Sequence, residues 1–169
     1  MENGKTLVHE YMKELEMEAS ASRKCLERIP EKTFDWKPHE KSMTMKSLSQ
    51  LVSEIPLWIK QIAEGPEIDF ATWKSVQPKT TSDLVKQFDE NMKSAQKALE
   101  HISDKTLSEK FSLKSNGKVL VSTPKKDSIE SSINHLVHHR GQLTVYMRMN
   151  NIPVPSIYGP SADENTFSN

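Results

Sequence analysis

Two imidazoles one helical turn apart are the strongest chemical feature of this sequence. They are His135 and His139, in the run Asn134-His135-Leu136-Val137-His138-His139-Arg140-Gly141-Gln142-Leu143. A helix advances ~100° per residue; with His135 at 0°, His139 falls at about 40°, Gln142 at about −20° and Tyr146 at about 20°. These four share one polar strip. Ile129, Ile133, Leu136, Leu143 and Met147 fall between about 80° and 160°, on an adjoining apolar face. Histidines at i and i+4 lie on the same side of a helix, so both can bind one metal ion. The same spacing also describes ordinary surface or hydrogen-bonded histidines. His138, at about −60°, points elsewhere and is expected to be exposed or at an interface.

Other sites are missing from the sequence. There is no Gly-x-Ser-x-Gly elbow. There is no Gly-x-Gly-x-x-Gly, Walker A or His-Glu-x-x-His motif. No Glu is followed three residues later by His, so the Glu-x-x-His signature of di-iron bundles is absent too. A single cysteine, Cys25, excludes an intrachain disulfide framework and a cysteine-based zinc ribbon. Cys25 lies on the apolar track of the first helix, which predicts a buried, inert thiol; a reactive one would need an exposed electropositive niche.

These residues must be positioned by helices. The first spans about Lys5 to Arg28, with Leu7, Val8, Tyr11, Leu15, Ala19 and Leu26 at helical spacing. Glu10, Glu14 and Glu18 lie four apart and read as a solvated acidic stripe. Pro30 ends this helix, and Phe34 and Trp36 pin the following connector to the core. Thr44 caps a second helix carrying Leu48, Leu51, Val52, Ile55, Trp58, Ile59 and Ile62. Pro56 should kink that helix, and Gly65-Pro66 stops it. Residues 67–79 lose the pattern, with Phe70 and Trp73 expected to tuck inward. A connection this long can cross the whole bundle and need not join antiparallel neighbours. Thr80 and Asp83 form a capping-box variant for a third helix running to Ile102.

Phe111 to Val121 alternates weakly around Asn116-Gly117, a type I′ hairpin signal. Thr123 as N-cap and Pro124 at the first helical position then open the fourth helix, which ends near Met149. Gly141 inside it costs about 1 kcal/mol relative to Ala, which a close helix approach would explain. Residues 150–169, with Pro153, Pro155 and Pro160, form an extended C-terminal arm. The expected fold is all-α: a four-helix bundle with long connections and a small hairpin before the last helix.

At 169 residues the chain is expected to form a single domain, 1–169, with one sizeable core. Lys plus Arg and Asp plus Glu both total 23, so the net charge is zero and no general affinity for nucleic acid or anionic membrane is expected. Apolar runs such as Ile55-Pro56-Leu57-Trp58-Ile59 fall far short of the ~20 residues that span a bilayer. No signal-peptide h-region follows Met1, so a reducing, cytoplasmic location is expected.

The run from His135 to Leu143 resembles the DinB/YfiT-like superfamily. Tyr146-Met147-Arg148 and the tail Val154-Pro155-Ser156-Ile157-Tyr158-Gly159-Pro160-Ser161-Ala162-Asp163 share the resemblance. Ile29-Pro30, Asp35-Trp36-Lys37-Pro38-His39-Glu40-Lys41-Ser42-Met43 and Leu48 through Trp58 extend it along nearly the whole chain. The resemblance implies a four-helix bundle, often homodimeric, with nickel or zinc on three histidines. Two of these correspond to His135 and His139; the third comes from the second helix. It also implies relatives that are thiol-cofactor-dependent isomerases, thiol S-transferases or metal-dependent hydrolases. The family pattern Leu-Ala-x-His-Ile-Ala-x-Leu-Pro-x-Trp meets Leu48-Ser49-Gln50-Leu51-Val52-Ser53-Glu54-Ile55-Pro56-Leu57-Trp58 here. The ligand position therefore holds Leu51, which has no donor atom. Glu54 could supply a carboxylate if the helix rotates near Pro56; otherwise the site is incomplete. The implied function is then either a DinB-like enzyme with a weakened metal site or a non-catalytic binding or dimerisation bundle. The substrate and any thiol cofactor are not named by the sequence.

Overall fold

The architecture was read from a computed structural model that describes residues 6–165. The expected start of the first helix at Lys5 and the last residues of the arm, 166–169, lie outside that range. Four long helices dominate: α1 (Thr6–Leu26), α2 (Met45–Glu64), α3 (Thr81–His101) and α5 (Lys125–Met149), with a short α4 (Asp104–Ser108). Three strands accompany them: β1 (Glu67–Asp69), β2 (Lys110–Ser115) and β3 (Lys118–Pro124). The fold is therefore mostly helical but not purely all-α. The sheet has the order β1-β2-β3, with β1 parallel and β3 antiparallel to β2. The hairpin matches the Asn116-Gly117 signal, and both residues take positive φ (50° and 76°) as a type I′ turn requires. β1 was not legible because three residues carry no periodicity.

Side-chain contacts fix the helix directions. Arg23 on α1 meets Asp89 on α3, and Thr81 donates to the Ile29 carbonyl, so α1 and α3 are antiparallel. Tyr11 donates to the Lys126 carbonyl and Arg140 reaches Glu18, so α1 and α5 run parallel. Lys125 reaches the Ala63 carbonyl and Tyr146 the Met43 carbonyl, so α2 and α5 are antiparallel. Asn91 binds the Ser53 carbonyl, while Ala63 and Glu64 share a groove with Lys97 and His101; α2 and α3 are parallel neighbours. The 65–80 connection therefore runs back along the bundle, as its length allowed. The sheet closes the end where α2 stops and α5 starts.

Local signals explain the element boundaries. Thr44 accepts from the Ser47 amide, and Thr80 with Asp83 forms a complete capping box. α2 continues through Pro56. α5 starts one residue later than expected, at Lys125, with Pro124 at the N-cap and no side-chain cap. Gly141 is exposed, and no neighbouring atom lies within 4 Å of where its Cβ would sit, so close helix approach does not explain it. Phe70 is exposed rather than tucked in, whereas Trp73 and Trp36 pack against the core. Leu48, Val52, Ile55 and Ile59 from α2 meet Ile129, Leu136 and Leu143 from α5 in one fully buried core. Each such side chain contributes roughly 1.5–3 kcal/mol by leaving water.

Candidate functional site

The polar strip of α5 faces α2. His135 and His139 are half-buried, with their Nε2 atoms 2.6 Å apart. His139 Nδ1 lies 2.7 Å from Gln142 Oε1. A carbonyl oxygen only accepts, so Nδ1 carries the proton and His139 Nε2 keeps its lone pair. The hydrogen between the two rings then belongs to His135 Nε2. Trp58 packs on His135 with ring centroids 5.5 Å apart. Tyr146, further along the strip, donates to the Met43 carbonyl and meets Trp36 edge-on. His138 is exposed.

Leu51 is half-buried against the core. The antiparallel register, Trp58 with His135 and Met43 with Tyr146, sets Leu51 opposite the turn holding His139 and Gln142. Glu54 is buried, and its Oε1 accepts from Trp58 Nε1 (3.2 Å), Ser75 Oγ (2.9 Å) and Trp73 Nε1. It thus anchors the 70–79 connector and the ring that rests on His135. Its hydrogen bonds go to these groups and not to the imidazole pair.

The donor set fits two positions of a divalent ion and no more. A zinc ion sits ~2.0–2.1 Å from each imidazole nitrogen, so tetrahedral binding would need the two Nε2 atoms roughly 3.3 Å apart, a modest opening from the present contact. Among the described residues no three His, Cys, Asp or Glu side chains gather into a metal-holding group.

Burial holds the pKa of both rings below the ordinary histidine range. For His135 the neighbouring His139 and His138 lower it further; for His139 the Gln142 bond works in the opposite direction. The unfolded chain takes up these protons near pH ~6.5. The folded chain takes them up only at lower pH. Stability is therefore fully present above about pH 6.5 and is lost as pH falls through the lowered folded values. Melting temperature should fall between about pH 7 and pH 5, and replacing both rings by Asn should flatten that slope. An unchanged slope would place the titration elsewhere.

A cavity of about 370 Å³ opens beside His135, between the end of α2, the sheet and the start of α5. Trp58, Ile62, Ile68, Phe111 and Leu113 form its apolar walls, and Asp127, Ser131 and His135 line the α5 side.

The sequence reading missed a second polar cluster. Arg140 is 1% exposed and Glu18 6%, in contrast to the solvated stripe expected for Glu18. Arg140 Nη1 donates to the Glu18 carboxylate, and Nη2 donates to Tyr158 Oη at 2.7 Å. Tyr158 in turn donates to Glu18 at 2.9 Å. The arm is tied down further by Arg28 with Glu164 and by Arg148 with Asp163 (2.6 Å). It folds back on its own chain. Cys25 is fully buried, and burial pushes its thiol up to about 11. A disulfide reagent at pH ~8 should therefore modify it only after unfolding. Rapid labelling of the native protein would show that this face opens.

Among the described residues no helix is long and apolar enough to cross a membrane. The chain is similar to two solved structures. One is a DinB-like protein from Bacillus cereus ATCC 10987, with TM-score 0.66 and 19% identity, covering 88% of this chain and 95% of that one. The other is the DinB-like protein YjoA of Bacillus subtilis, with TM-score 0.66 and 20% identity, covering 88% and 97%. At these identities the likeness shows the fold. A 32-residue stretch is 56% identical to the uncharacterized protein YrdA of Bacillus subtilis (strain 168), spanning only 19% of this chain and 19% of that relative. The DinB family model matches residues 1–167, nearly the whole length that carries the histidine strip, the helices and the arm, and the chain belongs to the DinB family.

Proposed function

We propose that this protein binds a small molecule beside a two-imidazole site that holds zinc or nickel weakly, with hydrolase- or thiol-transferase-type chemistry when metal is present. The observation that supports this reading is the convergence of His135 and His139 Nε2 atoms opposite Leu51. A bound ion would supply Lewis acidity and an activated water or thiol. The chain's own residues do the rest. Gln142 fixes the His139 tautomer so that Nε2 faces the pair. Trp58 covers His135 and limits water, and Glu54 steadies Trp58.

Two imidazoles give roughly half the ~10–16 kcal/mol of a four-ligand zinc site, which corresponds to a Kd of about 1–200 μM. Calorimetric titration of untagged protein tests this. Zinc binding in that range that disappears in His135→Ala supports the reading. Binding unaffected by that change overturns it. Leu51, lacking a donor, favours the second reading, a bundle retained for binding alone; no zinc binding up to millimolar concentration would establish it. We also propose a cytoplasmic homodimer. The outermost strand β3 supports dimerisation: it exposes Val119, Leu120 and Val121 together. Light scattering at twice the chain mass is the expected result.

A further inference from the structure

We propose that the cavity beside His135 is selective for small apolar amines and against carboxylates, phosphates and other anionic ligands, including acidic thiols. This deepens the proposed function by naming the substrate class of the same site. The walls are aromatic and aliphatic on the α2 and sheet sides, with Trp58, Ile62 and Phe111 chief among them. The ionisable groups are confined to α5, and Thr123 on β3 adds a hydroxyl from the sheet side. Asp127, Ser131 and His135 follow at i, i+4 and i+8, so they form one row about 12 Å long on a single helix face. No lysine or arginine is among the described lining residues. The buried Lys125 is close in sequence but does not line the cavity, and its ammonium donates to the Ala63 carbonyl. The N-terminus of α5 would attract an anion, yet its first turn already carries Asp127.

The row therefore has a carboxylate at one end and an imidazole at the other. An apolar body can fill the cavity while an ammonium group sits at Asp127. A carboxylate there would meet a like charge at the exposed Asp127, with no lysine or arginine in the lining to pair with it. The opposite end of the ligand then lies against His135, where the imidazole pair is.

The test uses three ligands with one apolar body: 4-phenylbutylamine, 4-phenylbutanol and 4-phenylbutyrate. Binding is followed by calorimetry on the full chain in EDTA, so the result does not depend on metal. The amine should bind about fivefold tighter than the alcohol, and the carboxylate more weakly than either. Asp127→Asn should remove the preference for the amine, and Asp127→Lys should reverse it. Ser131→Trp, at an exposed position on the cavity wall, should block all three. Equal or tighter binding of 4-phenylbutyrate, a ranking unchanged in Asp127→Asn, or binding that survives Ser131→Trp would overturn the proposal. Because metal is excluded, failure of the zinc titration leaves this result standing, and the reverse also holds.

Discussion

Zinc affinity should rise by about two decades in Leu51→His, since one protein ligand is worth roughly 3 kcal/mol of a structural zinc site. The helix register puts position 51 at the level of His139 and Gln142, and we propose that a new imidazole there reaches the existing pair. Three imidazoles leave one position open for water or substrate, as in catalytic zinc sites. The change also puts a polar ring where Leu51 packs against the core. The metal-free variant should therefore lose about 1–3 kcal/mol of stability. Saturating metal should return part of it by linkage. Calorimetric titration and thermal melts with and without zinc measure both effects. An unchanged affinity would show that residue 51 does not reach the pair. Stoichiometric tight metal in the wild type would show that some other group, Glu54 first, already completes the site.

Glu18→Ala should be the most damaging single change outside the apolar core. Glu18 and Arg140 are almost completely buried, and removing the carboxylate leaves a buried guanidinium without its counter-charge. Such a loss costs about 3–5 kcal/mol. For a chain of this size it corresponds to a fall in melting temperature of roughly 6–20 °C. Arg140 would keep only neutral partners, the Glu18 backbone carbonyl and Tyr158 Oη, and its Nε has no hydrogen-bond partner, so nothing replaces the lost counter-charge. The double change Glu18→Leu with Arg140→Met removes both charges and should recover most of the loss. A small effect of Glu18→Ala would mean that water reaches Arg140.

The buried pair was open to sequence reading by the same angular arithmetic that located the histidine strip. Taking Leu15 as 0°, Glu18 falls at about −60°, between Ser22 and Cys25 and well inside the apolar face; Glu10 falls at about −140°. Arg140 falls at about 140° from His135, among the core residues of α5. Their charged types, and the four-residue spacing of Glu10, Glu14 and Glu18, argued for solvent and hid what their positions said. Tyr158 carried no comparable signal, because it joins the pair from an irregular arm that only the tertiary fold brings near. The four long helices were legible because each sustains its period over twenty or more residues. β1 was not, because its pairing with β2 depends on a segment more than forty residues away. Glu54 was noticed as a carboxylate near the site. Its binding to Trp58, Trp73 and Ser75 depends on the path of the 70–79 connector, which has no periodic pattern.

The Glu18–Arg140–Tyr158 cluster also orders events during synthesis. A nascent chain that has reached Pro124 has α1, α2 and α3 available, and α1 can already dock on α3 through Arg23 and Asp89. Glu18 then still lacks its partner, which is encoded 122 positions later. The open side of the bundle, where α5 must insert between α1 and α2, stays exposed until α5 leaves the ribosome. Tyr158 and the Arg28–Glu164 pair come later still and seal the guanidinium from outside. Closure thus waits for α5 and the arm, and the first helix is committed by segments made long after it. A stop codon placed just before Tyr158 would leave every long helix present and the bundle unsealed.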